Sequence, residues 1–168
     1  MTVFHGSNTE IDRIDLEKCR PQKDFGCGFY TTIIREQSLS MAKRTVRIYG
    51  GRPVITEFSF DEAILSDPRY AIKKFDKPDN AWALFVINNR NPHFQTDADS
   101  NIDNRYDIVM GPVANDDLIT LFNLYQAGNL SEQALAIEMT HRQLTNQISF
   151  HTERAVKGLH KTGVFYGH

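Results

Sequence analysis

Cysteine is scarce in this sequence, which has only Cys19 and Cys27 among its 168 residues. Their number and spacing form neither a disulfide framework nor a zinc knuckle, so we interpret them as reduced thiols of a cytosolic protein. The histidines that follow His5 in the chain form no pair with metal-ligand spacing and acidic partners. No metal site is therefore expected.

Long apolar runs are also missing. The first residues, MTVFHGSNTE, lack the basic segment and apolar core of a signal peptide. No apolar run approaches the length that crosses a membrane. We therefore expect a cytoplasmic protein without a membrane partner.

The sequence also lacks an excess of charge of either sign, with 19 Lys and Arg, 21 Asp and Glu and a formal net charge of −2. Such a balance gives no field for gripping nucleic acid or an anionic membrane non-specifically. The cations at Arg35, Lys43, Arg44 and Arg47 are interpreted as the solvated face of a helix. With 168 residues of which 40% are hydrophobic, the chain is predicted to form one domain over residues 1–168.

Short strand patterns and helical patterns are mixed along the chain, which favours an α+β fold. The predicted strands are Thr2–His5, Gly28–Ile34, Pro53–Phe60, Tyr106–Met110, Gln147–Phe150 and Thr162–Tyr166. The predicted helices with both ends given are Arg35–Tyr49, Pro78–Asn89, Ser131–Met139 and Glu153–Leu159, the last capped by Thr152. A further helix is predicted to begin at a cap formed by Asn115 or Asp116 and to end at Gly128.

The stretch DFGCGFYTT, residues 24–32, begins with the letters of a kinase metal-binding loop. The other kinase motifs are absent, and the glycines precede a strand where a dinucleotide fingerprint would open a helix. Gly26 and Gly28 are therefore expected to serve backbone shape, by positive φ or close approach. On these residues alone, a turn with Phe29 and Tyr30 in the core is favoured over a strand that offers Tyr30 to a planar ligand.

Two further polar residues stand at the ends of predicted strands. His5 can hydrogen-bond sugar hydroxyls, and the adjacent Gly6 exposes its backbone groups. Gln147, at the start of QISF, can direct an amide into a cleft. Taken singly, each is better explained as an ordinary surface or strand-edge residue.

Together and in this order, these features resemble the ADP-ribosyltransferase superfamily. The relevant branch is the diphtheria-toxin-like one, which includes the poly(ADP-ribose) polymerases and has a His–Tyr–Glu triad. The chain looks most like a bacterial domain family of unknown function within that superfamily. The segments that carry the likeness cover nearly the whole chain: FHGSN, CRPQKDFGCGFYTT, EQSLSMAKR, YDIVMGPVAND and QISFHTERAVKGL.

The resemblance implies an ADP-ribosyltransferase-like split mixed β-sheet with flanking helices, and a cleft that binds NAD⁺ as substrate in a folded shape. His5 would hold the adenine-side ribose, Gly6 the nicotinamide amide through its backbone, and Tyr30 would stack on the nicotinamide ring. The implied catalytic residues are His5, Tyr30 and Gln147. The implied NAD⁺-binding residues are His5, Gly6, Ser7, Arg20 (on the diphosphate), Gly28, Phe29, Tyr30 and Ser38.

This chain departs from the triad at Gln147, where a glutamate is usual. A glutamate would place negative charge beside the oxocarbenium-like ribose carbon and supply a base, whereas glutamine keeps only an acceptor. Three activities stay open: transfer of one ADP-ribose, with a base from Glu153 or the target; silent NAD⁺ binding through a partner; and NAD⁺ hydrolysis. Transfer is ranked first. In a bacterium it implies an effector or the toxin of a toxin–antitoxin pair, with a protein or nucleic-acid acceptor and an antitoxin as potential partner.

Overall fold

The computed structural model describes residues 1–91, 93, 97–114, 116–140 and 146–167. Within those ranges helices and strands alternate in an α+β arrangement, so the predicted fold class is confirmed at that level. The strands are β1 (Thr2–Ser7), β2 (Phe29–Thr31), β3 (Val54–Phe60), β4 (Ile72–Lys74), β5 (Ile108–Pro112), β6 (Asn146–Phe150) and β7 (Leu159–Tyr166). The helices are α1 (Arg35–Tyr49), α2 (Asn80–Arg90), α3 (Asp116–Gln126), α4 (Glu132–Thr140) and α5 (Glu153–Val156).

The strands form two sheets, with orders β1-β3-β7 and β2-β6-β5-β4. All pairs are antiparallel except β4 with β5, so the second sheet is mixed. Among the described strands, a single bridge between Phe4 and Thr32 connects the backbones of the two sheets. It consists of two N–H···O bonds of 2.7 and 2.9 Å. Beyond that bridge β1 and β2 separate.

Two clusters of buried side chains hold the layers together. One packs Phe25, Trp82, Phe85 and Phe122 under α2 and α3. The other combines side chains from both sheets, including Val3 and Phe58 from the first with Phe29, Ile148 and Phe150 from the second. The sheets are thus joined mainly by apolar burial rather than by backbone hydrogen bonds, which leaves their polar strand ends free to line a cleft.

Helix α1 has the predicted bounds, but its predicted buried face is wrong in part. The sequence spacing pointed to Leu39, Ala42, Val46 and Tyr49, whereas Ala42 and Ser38 are the fully buried residues and Tyr49 is 51% exposed. The helix lies across β1 with its first turns closest, so small side chains face the sheet there. Tyr49, at the other end, lies under the guanidinium of Arg20 instead.

Strand β4 was not predicted from the sequence, and several strand ends were predicted wrongly. Strand β1 continues through Gly6 and Ser7, because both pair with β3. Strand β5 continues through Gly111 and Pro112, which pair with the start of β6, although this Gly-Pro pair was expected to end the strand. β2 is shorter than predicted and β7 is longer. At β1 and β5 the extent of the neighbouring strand decides the end, and local sequence does not contain that information.

The helix cap predicted at Thr152 is confirmed. Thr152 accepts from the Ala155 N–H at 3.4 Å, although α5 ends at Val156, earlier than predicted. Asp79, which was not predicted as a cap, accepts from the Trp82 N–H at 2.9 Å at the start of α2. Asn115 lies outside the described residues. The prediction at Thr152 succeeds because side-chain capping depends on three or four adjacent residues.

Candidate functional site

A cavity of about 440 Å³ opens where β1 and β2 separate. Its walls are the end of β1, β2, the start of β6, one face of α1 from Gln37 to Tyr49 and the segment between β1 and β2. This volume is in the range of small-molecule sites. The cavity brings together every site residue named from the sequence: His5, Gly6, Ser7, Arg20, Gly28, Phe29, Tyr30, Ser38 and Gln147.

The imidazole of His5 bridges the gap between the two sheets. Its Nδ1 lies 2.7 Å from the backbone oxygen of Tyr30, which can only accept, so Nδ1 carries the hydrogen. The ring also stacks on Phe29, with centroids 4.3 Å apart. Burial lowers the pKa of His5, which favours the neutral ring. His5 therefore offers the lone pair of Nε2 as a hydrogen-bond acceptor at the cavity wall.

Gly6 offers backbone groups to the same cavity. Phe4 bonds across to Thr32 with both of its backbone groups, and strand alternation directs those of Gly6 to the same edge. No described strand pairs with Gly6 at that edge. On its other side Gly6 touches α1, since a Cβ there would lie 1.9 Å from the Ser38 carbonyl oxygen. The cavity thus has a free N–H and C=O backed by a helix.

Tyr30 combines features of the two roles considered for it, a core residue of the turn and an aromatic platform for a planar ligand. Its hydroxyl donates to the Gly26 oxygen at 2.7 Å and accepts from the Phe25 N–H at 3.0 Å, so it holds the glycine turn. Burial, together with the charge of Asp24, raises the pKa of this hydroxyl. Its ring is half-buried and lines the cavity, whereas Phe29 lies in the core. The platform role is therefore open to the ring of Tyr30 but not to its hydroxyl.

The glycines of the turn serve backbone shape, as expected. Gly26 has φ of 92°, and a Cβ on Gly28 would lie 2.5 Å from Nδ1 of His151. That Nδ1 is 2.8 Å from the Cys27 oxygen, and the other ring nitrogen is 2.7 Å from Oγ of Ser149. A buried histidine therefore fastens the turn to β6.

His151 makes stability depend on acid. Burial lowers its pKa to about 4, below the 6.5 of an unfolded chain. Between pH 4 and pH 6.5 the unfolded state binds more protons at this histidine than the folded state does. The contribution of His151 to the free energy of unfolding is therefore complete above pH 6.5 and decreases by about 3 kcal/mol as the pH falls to 4. Chemical denaturation across this range should show a shallower pH slope in His151→Gln. Equal slopes in the two proteins would contradict the assignment.

Gln147 starts the late strand and is 7% exposed. Its amide nitrogen donates to Oδ2 of Asp24 at 2.8 Å and to the Pro112 oxygen at 3.3 Å. Asp24 is itself buried and accepts from Nε of Arg90 at 2.7 Å. Sequence patterns assigned no role to Asp24 and did not single out Arg90. Their positions are 66 residues apart, so no local pattern could have paired them.

Cations gather at the mouth of the cavity. Arg20 was predicted there, and the structure adds Arg13, Lys18 and Lys23 from the same segment. The hydroxyl of Tyr49 accepts from Arg20, and the guanidinium carbon of Arg20 lies 4.4 Å from the centre of the Tyr49 ring. The spacing of these cations between residues 13 and 23 was a usable signal, because they flank the glycine turn on a single loop.

Two other polar groups contribute less than their positions suggested. The hydroxyl of Ser38 donates to the Arg35 oxygen at 2.6 Å, so Ser38 lines the cavity mainly with its backbone side. Glu153, weighed as an external base, is exposed at the start of α5 and is not a lining residue. The role of Glu153 as a base therefore stays a prediction, and Glu153 does not contribute to the wall of this cavity.

The described part of the chain contains neither a candidate metal site nor a membrane-spanning helix. No cluster of three or more His, Cys, Asp or Glu side chains there could hold a metal ion. None of the helices within it has the length and apolar character needed to cross a membrane.

Cys19 and Cys27 are both free thiols, and burial raises the pKa of Cys19 to about 11. Cys19 is consequently protonated at neutral pH.

Comparison with known protein families identifies a family for this chain. A family model described as "Protein of unknown function (DUF3990)" matches residues 1–161. No curated protein and no solved structure matches the chain significantly. The match covers the second sheet, all of the cavity-lining residues and the first sheet up to Lys161 in β7.

Proposed function

The chain belongs to the DUF3990 family, and we propose that it is an NAD⁺-dependent mono-ADP-ribosyltransferase with an ADP-ribosyltransferase-like fold. One observation carries the proposal. His5, Gly6, Tyr30 and Gln147, which come from separate parts of the chain, line one ligand-sized cavity with complementary acceptor, backbone and aromatic groups. The two-sheet α+β architecture, divided beside this cavity, is consistent with the split sheet that the resemblance implies.

Ribose hydroxyls fit the two acceptors at the cavity wall. Nε2 of His5 is the acceptor left by the bond of Nδ1 to Tyr30. Oε1 of Gln147 has no donor among the described residues, while its amide nitrogen is fully used. An unpaired buried acceptor costs free energy, and a ligand hydroxyl would remove that cost. This orphaned oxygen is the structural feature that most favours a polyhydroxyl ligand.

Nicotinamide fits the backbone groups of Gly6 and the ring of Tyr30. A carboxamide has one acceptor and two donor hydrogens, which match the free N–H and C=O of Gly6. The half-buried ring of Tyr30 offers an aromatic face nearby. The turn that holds the hydroxyl of Tyr30 fixes this ring in place, so little conformational entropy is lost when a ligand stacks on it.

The diphosphate fits the cationic mouth. Arg13, Lys18, Arg20 and Lys23 lie on the segment that forms this edge and are all exposed. Asp15 pairs with Lys18 at 3.6 Å, which offsets one of the four charges. The remaining positive charge favours an anion at the mouth, although salt screens exposed groups of this kind. The protein thus supplies partners for each part of NAD⁺ except the adenine base.

When bound, NAD⁺ supplies an electrophilic ribose carbon: the C1′–N bond breaks with its electrons on nicotinamide, and an acceptor nucleophile bonds to C1′ and releases a proton. The residues of the chain bind and orient. Gln147 holds a hydroxyl beside C1′ but cannot take the proton at neutral pH. The acceptor or water must therefore remove it.

Silent NAD⁺ binding is the second candidate, because Gln147 has neither the charge nor the basicity of a glutamate. One experiment separates the candidates: the protein is incubated with NAD⁺ labelled in its ADP-ribose part and with bacterial lysate. Transfer yields nicotinamide and labelled macromolecules, whereas hydrolysis yields nicotinamide and free labelled ADP-ribose. Binding by calorimetry without release of nicotinamide would identify the silent module. Absence of both binding and release would refute every NAD⁺-based function.

Tyr30 provides a matched pair of variants for the same assay. Tyr30→Phe keeps the ring but leaves the Phe25 N–H and the Gly26 C=O unpaired, so it should lower the free energy of unfolding by about 1–3 kcal/mol with KM for NAD⁺ close to the parent value. Tyr30→Ala removes the platform and should raise KM about tenfold or more, as loss of base stacking does. Equal KM values for Tyr30→Ala and the parent would refute the stacking role.

The biological setting that we propose is a toxin of a toxin–antitoxin pair, or an effector, that modifies a macromolecule of the cell. Expression in a bacterial host should then slow growth, and folded Tyr30→Ala should slow it less. Equal growth of hosts that express the parent and the Tyr30→Ala variant would count against the toxin or effector role. It would not bear on the NAD⁺ chemistry, which the labelled assay tests.

A further inference from the structure

The amide of Gln147 has only one orientation compatible with its surroundings. Oδ2 of Asp24 and the Pro112 oxygen, its two partners, are both acceptors. A flipped amide would put Oε1 of Gln147 2.8 Å from a carboxylate oxygen. The NH₂ end must therefore face Asp24, and Oε1 is the polar atom left for the cavity that Gln147 lines.

Asp24 is in turn held by donors on every side. Its Oδ1 accepts from Arg90 at 2.7 Å, and its Oδ2 accepts from the Ala114 N–H at 2.9 Å as well as from Gln147. Arg90 also donates to the Ala114 oxygen at 3.0 Å, which fixes the guanidinium. Asp24 does not line the cavity itself. It is a buried, immobilised anion directly behind Gln147.

We infer that Asp24 is a positioning residue that holds Gln147 with Oε1 towards the cavity, where it accepts a hydrogen bond from a ribose hydroxyl. The inference rests on the proposed function and extends it to a residue outside the cavity. A carboxylate that accepts from an amide N–H also polarises that amide, which makes Oε1 a stronger acceptor. Asp24 thus supplies, through Gln147, part of the negative potential that a glutamate would supply directly.

A glutamate at position 147 would not be an improvement in this setting. Its carboxylate would lie within hydrogen-bond distance of the Asp24 carboxylate, and two carboxylates at one site cannot both ionise readily. Asp24 and Gln147 therefore form a matched pair. The exchanged pair restores this one contact, because asparagine at 24 can donate to glutamate at 147, but the Ala114 N–H then loses its acceptor and the glutamate faces the Pro112 oxygen.

The test uses Asp24→Asn, Gln147→Glu and the double variant, with NAD⁺ as the probe. Each single change should lower kcat for nicotinamide release roughly 10- to 100-fold, as loss of an orienting partner does, with KM less affected. The double variant should recover part of that loss, because it restores the contact between positions 24 and 147 but not the bonds to Ala114 and Pro112. Gln147→Glu alone should regain activity as the pH falls, because a shared proton relieves the repulsion.

Asp107→Asn is the structural control. Asp107 is also buried and bonded by an arginine, Arg154, but it does not line the cavity or contact Gln147. It should lower the unfolding temperature while the kcat of the folded fraction stays at the parent value. A loss of kcat equal to that of Asp24→Asn would show that any buried aspartate has this effect and would overturn the inference.

Unfolding measurements without NAD⁺ separate this inference from the proposed function. Positions 24 and 147 should be coupled, with the double variant more stable than the sum of the single effects allows. Additive effects would overturn the inference even if the parent transfers ADP-ribose. Coupling in a parent that neither binds nor cleaves NAD⁺ would reject the proposed function but support the fixed amide. Coupling with unchanged kcat in Asp24→Asn would overturn the catalytic part.

Discussion

Replacing Gly6 with alanine is expected to displace α1 from β1 and to leave little folded protein. The added Cβ would lie 1.9 Å from the Ser38 oxygen and 2.9 Å from the Ala42 nitrogen, both backbone atoms of the helix. Backbone atoms cannot rotate away as a side chain can, so the helix itself must shift. Overpacking of this kind costs roughly 3 kcal/mol or more, a large part of the stability of a small domain.

Gly163→Ala is the matched control for this change, since Gly163 is also a strand residue of the first sheet. A Cβ there would meet a ring atom of Phe165 at 3.3 Å and the Glu57 carboxylate at 3.7 Å, both able to move. The control should cost about 1 kcal/mol or less in urea denaturation. A Gly6→Ala protein that unfolds at the same urea concentration as Gly163→Ala would contradict the packing of α1 on β1.

Arg90→Met is expected to be the most damaging loss of a charge. It removes the guanidinium that pairs with Oδ1 of Asp24 at 2.7 Å, and the Asp24 side chain is only 8% exposed. An unpaired buried carboxylate costs about 3–5 kcal/mol. Methionine keeps most of the apolar stem of arginine, so the effect reports the charge rather than lost packing. Thermal denaturation should show a much lower unfolding temperature.

Arg105→Met provides the comparison on the surface. Arg105 makes the same kind of arginine–aspartate pair with Asp103, but both side chains are more than half exposed. Water and salt screen such a pair, and its loss should cost about 1 kcal/mol or less. Similar unfolding temperatures for Arg90→Met and Arg105→Met would show that Asp24 does not depend on Arg90 as described.

The parts of the fold that local chemistry decides could be predicted from the sequence. The periodicity of α1 and the glycines after it placed its ends correctly. Thr152 caps its helix as expected, since a cap involves only neighbouring residues. The ends of β1 and β5 could not be predicted in this way, because they depend on how far the partner strands extend.

The candidate site was also only partly predictable from the sequence. His5, Tyr30 and Gln147 were found through a resemblance, and the structure brings them to one cavity. What no single-sequence argument could find is the set of bonds behind them. The contact of His5 with the Tyr30 oxygen and that of Gln147 with Asp24 join residues 25 and 123 positions apart. Such contacts exist only once both sheets are assembled.

Residues 24–32 are anchored at several points, and the spacing between the anchors is as constrained as their identity. Asp24 is fixed at Gln147, the Phe25–Gly26 turn at the hydroxyl of Tyr30, and Thr32 at Phe4. One residue inserted or deleted anywhere between them would break at least one anchor or turn the side chains of β2 to the opposite face. The length of the stretch is therefore as tightly determined by its contacts as are Asp24, Gly28 and Tyr30 within it.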